Sequence, residues 1–114
     1  MSYAHPHDHT FNRQLRGGAK EAVDAFVAFD KAVFAEREGG LDVRTRELIA
    51  IGVAATTQCP YCMDAHTKAA LAAGATESDV AEAVMVAAAL RAGAAYTHGW
   101  LAMKLVDGHS SADS

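Results

Sequence analysis

The chain has 114 residues and a mass of 12.0 kDa, with 51 % hydrophobic and 21 % charged residues and only 2 prolines. That length suits one core rather than two, and that composition excludes disorder of the whole chain. Its 10 basic and 14 acidic residues give a net charge of -4 with the basic ones scattered, which argues against nucleic acid, and no run approaches the ~20 apolar residues of a membrane span.

Residues 1–12 are polar, with His5, His7 and His9 alternating around Pro6 and Asp8. They lack the basic and then apolar regions of a signal peptide, so the expectation is a flexible tail with solvated histidines on a soluble, cytoplasmic protein. Alternating histidines are also a pattern that can bind a transition metal.

From Ala19 to about Arg37, Ala22, Phe26, Phe29 and Val33 step by four, three and four, the period of one helix face, until Gly39 and Gly40 stop the helix. Asp42 is suited to cap a second helix over 43–57, with Leu48, Ile51 and Ala55 as its apolar stripe and Glu47 on the same helix. A third helix opens at Cys59, because Pro60 suits the first helical position, and closes at Gly74. Thr76 and Asp79 resemble a capping box for a fourth helix from about Glu77 to Arg91, with Val80, Val84, Ala87 and Leu90 inward. Gly93 is expected to end or bend it, and a last helical segment carries Tyr96, His98, Trp100 and Met103 before a frayed end. No alternating strand pattern occurs. The fold class is all-α, one domain of about five helices over 13–107, with a C-terminal tail over 108–114.

The two cysteines, Cys59 and Cys62, are too few and too close for a secreted disulfide framework and have the spacing of redox or metal chemistry. Cys59 to Cys62 is a step of three and Cys62 to His66 a step of four, so all three share one stripe of the third helix. Both sulfurs lie in the first turn, where unpaired amides and the helix dipole favour thiolate. His66 can serve Cys62 as base, hydrogen-bond donor or proton shuttle. Glu47, on the preceding helix twelve residues before Cys59, is the candidate to orient that imidazole.

Blander readings stand beside this one. Two cysteines three apart can be small buried hydrophobes, and Glu47 by itself can be a solvated helix charge. Cys59, Cys62 and His66 with either Glu47 or His98 would supply four zinc ligands, although the second half of the usual paired-ligand pattern is absent. His98 otherwise reads as a surface or interface histidine. The tetrapeptide Cys59-Pro60-Tyr61-Cys62 also matches the glutaredoxin active site, but that motif follows a strand, and none is apparent here.

Glu47, Cys59, Cys62, His66, the Gly74-Ala75 turn and Glu77 together resemble the alkylhydroperoxidase AhpD-like group of the carboxymuconolactone decarboxylase family, over roughly Leu41 to Leu101. The resemblance implies an AhpD-like helical fold, an obligate homo-trimer or homo-hexamer, and a thiol-dependent peroxidase or disulfide reductase served by an external dithiol. It implies Cys62 as the thiol that attacks peroxide and Cys59 as the resolving one; the mechanism expected from the residues has Glu47 and His66 as proton relay and requires no metal or flavin cofactor. The helix-end argument points the other way, towards Cys59 as the more exposed thiolate. Lactone decarboxylation is disfavoured, since the family's decarboxylases lack the cysteine pair. The alternative function is a non-catalytic helical oligomer with a redox-sensing or zinc-binding Cys-x-x-Cys-x-x-x-His site.

Self-association also follows from composition. The chain has 26 alanines, nearly half of its apolar residues, so each helix buries little area alone. Large apolar residues such as Phe26, Phe29, Leu90, Trp100 and Leu101 then exceed what one small core can cover.

Overall fold

The computed structural model describes residues 4–113, so Met1–Tyr3, the start of the expected tail, and Ser114 at the other end lie outside the described residues. A 3-10 helix, Pro6–Phe11, precedes five α-helices: α1 (Asn12–Gly18), α2 (Lys20–Phe34), α3 (Val43–Thr57), α4 (Pro60–Ala72) and α5 (Glu77–Asp113). No strand occurs among the described residues, and the all-α class with five helices is as expected. The five are divided differently from the sequence reading at both ends of the chain.

The caps account for the middle of the fold. Asp42 Oδ1 accepts from the Thr45 amide at 2.7 Å and starts α3. At the start of α5 the Thr76 amide donates to Asp79 Oδ2 (2.9 Å) and the Asp79 amide to Thr76 Oγ1 (3.0 Å), a complete reciprocal box. Gly74, at φ 96°, makes the left-handed turn after α4.

Three expected boundaries move. α2 ends at Phe34 rather than near Arg37, because Ala35 is extended and Arg46 takes the carbonyls on either side of Phe34. Gly93 neither ends nor bends the last helix into two; α5 runs on as one 37-residue helix. A glycine among good helix formers costs about 1 kcal/mol relative to alanine yet keeps its amide donor, so it weakens a helix without breaking the ladder. Residues 6–18, most of which were expected as tail, are helical: Asp8 Oδ2 accepts from the His5 amide and from the Tyr61 hydroxyl, both at 2.9 Å, which anchors the segment to the first turn of α4.

α3 is the central element, packed against both α4 and α5, while α1 and α2 pair with each other. The core is Ile51, Ala70 and Ala75, flanked by Leu48, Met63, Val80 and Val84. Gly52 faces α5, where a Cβ would meet the Ala83 carbonyl oxygen at 3.4 Å, an ordinary van der Waals distance. Val80, Val84 and Ala87 are half-buried as expected, but Leu90 is 73 % exposed. At 1.5 Å per residue, a 15-residue α3 covers less than half of a 37-residue α5, so the inward stripe runs out of partner. The radius of gyration is 19.8 Å, against roughly 13 Å for a compact chain of about 100 residues. Phe26 and Phe29 on α2 are 64 % and 65 % exposed, so the expected apolar face of that helix exists but is uncovered within one chain. By length and composition α5 is apolar enough to cross a membrane; its lateral packing on α3, and Glu82, Arg91 and Lys104 along it, suit a helix that seats against protein.

Candidate functional site

The site forms where α3 turns back into α4. Gln58 adopts the left-handed conformation (φ 57°) as the C-cap of α3, and the Cys59 amide donates to the Ala54 carbonyl at 3.2 Å. Only Gln58 and Cys59 separate the helices, so they run antiparallel and side by side, and residues well apart in sequence come level across the interface.

Cys59 is the N-cap of α4. Its Sγ accepts from the Cys62 amide at 3.3 Å, with Pro60 in the first turn, where the missing amide hydrogen costs nothing. One turn beyond Cys62, His66 Nδ1 meets Glu47 Oε2 at 2.5 Å. The Glu47 side chain is 9 % exposed and that of His66 25 %. With Glu47 ionised, Nδ1–H donates to the carboxylate, and Nε2 is the nitrogen left for proton exchange. The Phe34 ring, at the end of α2, stacks on the imidazole with centroids 5.1 Å apart and an interplanar angle of 20°.

The two thiols are electrostatically unequal. The Cys62 thiol and amide donate to Cys59 sulfur and hold the Cys59 pKa below its ordinary value. The same interaction, together with burial and the adjacent Cys59 charge, pushes Cys62 up to about 11, and Asp30 on α2 adds to this. Cys59 is therefore the first of the two thiols to ionise, as the helix-end argument anticipates, and Cys62 keeps its proton to higher pH.

The four residues singled out from spacing and resemblance fall into two contacting pairs: Cys59 with Cys62 at the α3–α4 turn, and Glu47 with His66 across the two helices, one turn of α4 further on. His98 does not join them; it is exposed on the C-terminal half of α5. Among the described residues no group of three His, Cys, Asp or Glu side chains is set to hold a metal ion, so the zinc reading finds no preformed cluster. Sequence reasoning missed Phe34 and Arg46. Phe34 lies one position past the Phe26–Phe29–Val33 stripe, and a buried arginine bonded to carbonyls leaves no periodic signal. A groove of about 1080 Å³ lies between the N-terminal segment and α4, lined by Phe11, Leu15, Tyr61, Asp64, Ala65 and Lys68 among others. It follows the face of α4 turned away from the Cys59–Cys62–His66 stripe, and neither cysteine lines it.

Comparison with known proteins bears on this arrangement. The carboxymuconolactone decarboxylase family profile matches residues 20–105. A Paracoccus denitrificans protein called uncharacterized protein 4 in cox locus is 51 % identical over 84 residues, 74 % of each chain. An uncharacterized Haemophilus influenzae protein is 52 % identical over 64 residues, 56 % of this chain and 57 % of that one. Among solved structures, a Methanobacterium thermoautotrophicum protein superposes with a TM-score of 0.67 at 35 % identity, covering 75 % of this chain and 93 % of that one. A carboxymuconolactone decarboxylase family protein from Legionella pneumophila, solved in its apo form, gives 0.64 at 28 % identity over 75 % of each.

Proposed function

Because the chain belongs to the carboxymuconolactone decarboxylase family, we propose that it works as an AhpD-like thiol peroxidase or disulfide reductase, with Glu47, Cys59, Cys62 and His66 as its catalytic residues. The observation that carries this reading is the 2.5 Å Glu47–His66 contact, mostly buried and one helical turn from a cysteine that is the N-terminal neighbour's hydrogen-bond partner.

A Cys62 thiol whose pKa is raised to about 11 is a poor nucleophile until a base removes its proton, which is the task the His66–Glu47 pair suits. The Cys62 thiolate then attacks the distal peroxide oxygen: an S–O bond forms, the O–O bond breaks, and the leaving alkoxide takes the proton from imidazolium. Cys62 becomes a sulfenic acid. The Cys59 thiolate displaces hydroxide from it, closing a Cys59–Cys62 disulfide and releasing water once that hydroxide is protonated. An external dithiol reopens the bond by exchange and is itself oxidised. A cytoplasmic setting suits a cycle that depends on such a reductant.

The same reading takes the working form as a homo-trimer or homo-hexamer. Its support is the uncovered apolar face of α2 and the groove of about 720 Å³ between α3 and α5, lined by Ile49, Val53, Val86 and Leu90, which a second copy of the chain would cover.

Mass spectrometry of the reduced protein after one equivalent of peroxide tests the chemistry. The expected product has lost two hydrogens and regains them with a dithiol. Two persistent free thiols would overturn the peroxidase reading.

A further inference from the structure

Two hydrogen bonds from one buried side chain bracket Phe34. Arg46 is 8 % exposed, and its Nη1 donates to the carbonyls of Val33 and Ala35, both at 2.6 Å, while Nε donates to the Leu41 carbonyl at 3.0 Å. The guanidinium thus caps the end of α2 and ties it to the start of α3. Gly40 makes room for it: a Cβ there would stand 2.9 Å from Arg46 Nη2. The residue between the two bonded carbonyls is Phe34, whose ring lies on His66.

Arg46 and Glu47 are neighbours on α3, so this helix reaches the imidazole by two routes. Glu47 holds the ring edge at Nδ1 directly, and Arg46 holds its face through Phe34. A carboxylate on one nitrogen leaves the ring free to rock about that bond; a flat aromatic surface on its face removes the rocking. We propose that Phe34 is a positioning residue that fixes the plane of His66 about its bond to Glu47, so that Nε2 is held in one orientation to serve Cys62 one turn away on α4, and that Arg46 holds Phe34 in place. Neither residue exchanges a proton or touches the peroxide. The proposal rests on the reading of His66 as the group that takes the Cys62 proton, but the placement of the ring is measurable without turnover.

The variants are Phe34→Leu, which keeps apolar bulk but has no ring, Phe34→Tyr, which keeps the ring, and Arg46→Lys, which keeps the charge but not the planar group that reaches the Val33 and Ala35 carbonyls through Nη1 and the Leu41 carbonyl through Nε. The first readout is the NMR signal of the His66 ring protons, which a stacked aromatic shifts upfield, followed through a pH titration in which Glu47, Cys59 and Cys62 are the facing titratable groups and Asp30 the further charge. The second is the pH profile of Cys62 oxidation by hydrogen peroxide. Phe34→Leu is expected to lose the upfield shift and slow oxidation by about 10²-fold, the usual effect of an ~1 Å misplacement, with the helical circular dichroism unchanged. Phe34→Tyr is expected to retain both, and Arg46→Lys to reproduce the loss of the upfield shift. An unchanged His66 signal in Phe34→Leu overturns the proposal, as does equal impairment of Phe34→Leu and Phe34→Tyr, which would mark a packing role alone. An unchanged signal in Arg46→Lys overturns the part assigned to Arg46. If oxidation is equally fast in His66→Ala and in wild type, the relay reading fails, while the NMR signal still decides whether Phe34 places the ring.

Discussion

Glu47 on α3 and His66 on α4, 19 positions apart in sequence, are joined by a 2.5 Å contact between Oε2 and Nδ1. Both are candidates for proton handling, and the contact makes them one unit, because the carboxylate sets the imidazole tautomer and its orientation. Glu47→Gln and His66→Ala are accordingly expected to slow Cys62 oxidation by about 10²- to 10⁴-fold, the usual loss of a general base, with helical content retained. Stopped-flow measurement of peroxide consumption by the reduced protein checks this; wild-type rates in both variants would remove the relay.

The unequal thiols give a pH prediction whose sign follows from their hydrogen bond. Cys59 is held below its ordinary pKa, so thiolate absorbance near 240 nm should rise by one equivalent at lower pH than for a free cysteine, and by a second only towards about 11, where Cys62 ionises. Cys59→Ser removes the neighbouring charge that raises Cys62, so the remaining thiol should titrate at lower pH than Cys62 does in the wild type. A remaining pKa as high as before would mean that burial alone, not Cys59, holds Cys62 neutral.

Iodoacetamide labelling separates the two sites. Near neutral pH Cys59 should be alkylated first, since only the thiolate reacts. Peptide mapping that finds Cys62 modified faster would reverse the order in which the two thiols ionise.

The caps carry a stability prediction. Asp42→Ala removes the acceptor of the Thr45 amide and is expected to cost about 1 kcal/mol, which for a chain of about 100 residues lowers Tm by about 4 to 8 °C. Glu77→Ala, in the first turn of α5 but outside its Thr76–Asp79 capping box, serves as the comparison and should change Tm far less. Equal shifts in the two would show that first-turn charge, not the cap bond, is what matters.

Assembly is tested by light scattering at micromolar concentration, with an expected mass at least three times 12.0 kDa. Phe26, exposed on α2, should seat in the subunit contact, so Phe26→Asp should lower that mass. A well-folded monomer of wild-type chain would overturn both the assembly and the reading of the exposed apolar faces as contact surfaces.

Local chemistry determined a good deal of this protein in advance. Asp42, Thr76 with Asp79, Pro60 after Cys59, and Gly74 mark helix ends through bonds between residues a few positions apart, so α3, α4 and the start of α5 lie where spacing puts them. The Cys59–Cys62–His66 stripe is legible for the same reason, since steps of three and four share a helix face wherever the helix goes. What lies across an interface is another matter. The anchoring of Asp8 by Tyr61, the stacking of Phe34 on His66, the clamp of Arg46 on the end of α2 and the exposure of Leu90 all depend on how far and at what register one helix lies against another. The partner of Glu47 could be nominated from the short α3–α4 link, but the contact itself, and the ionisation of Cys59 ahead of Cys62, belong to the folded chain. Helix ends are decided by a few nearby hydrogen bonds, whereas register and burial are set by the sum of many weak contacts between segments distant in sequence, and no short pattern of residues records that sum.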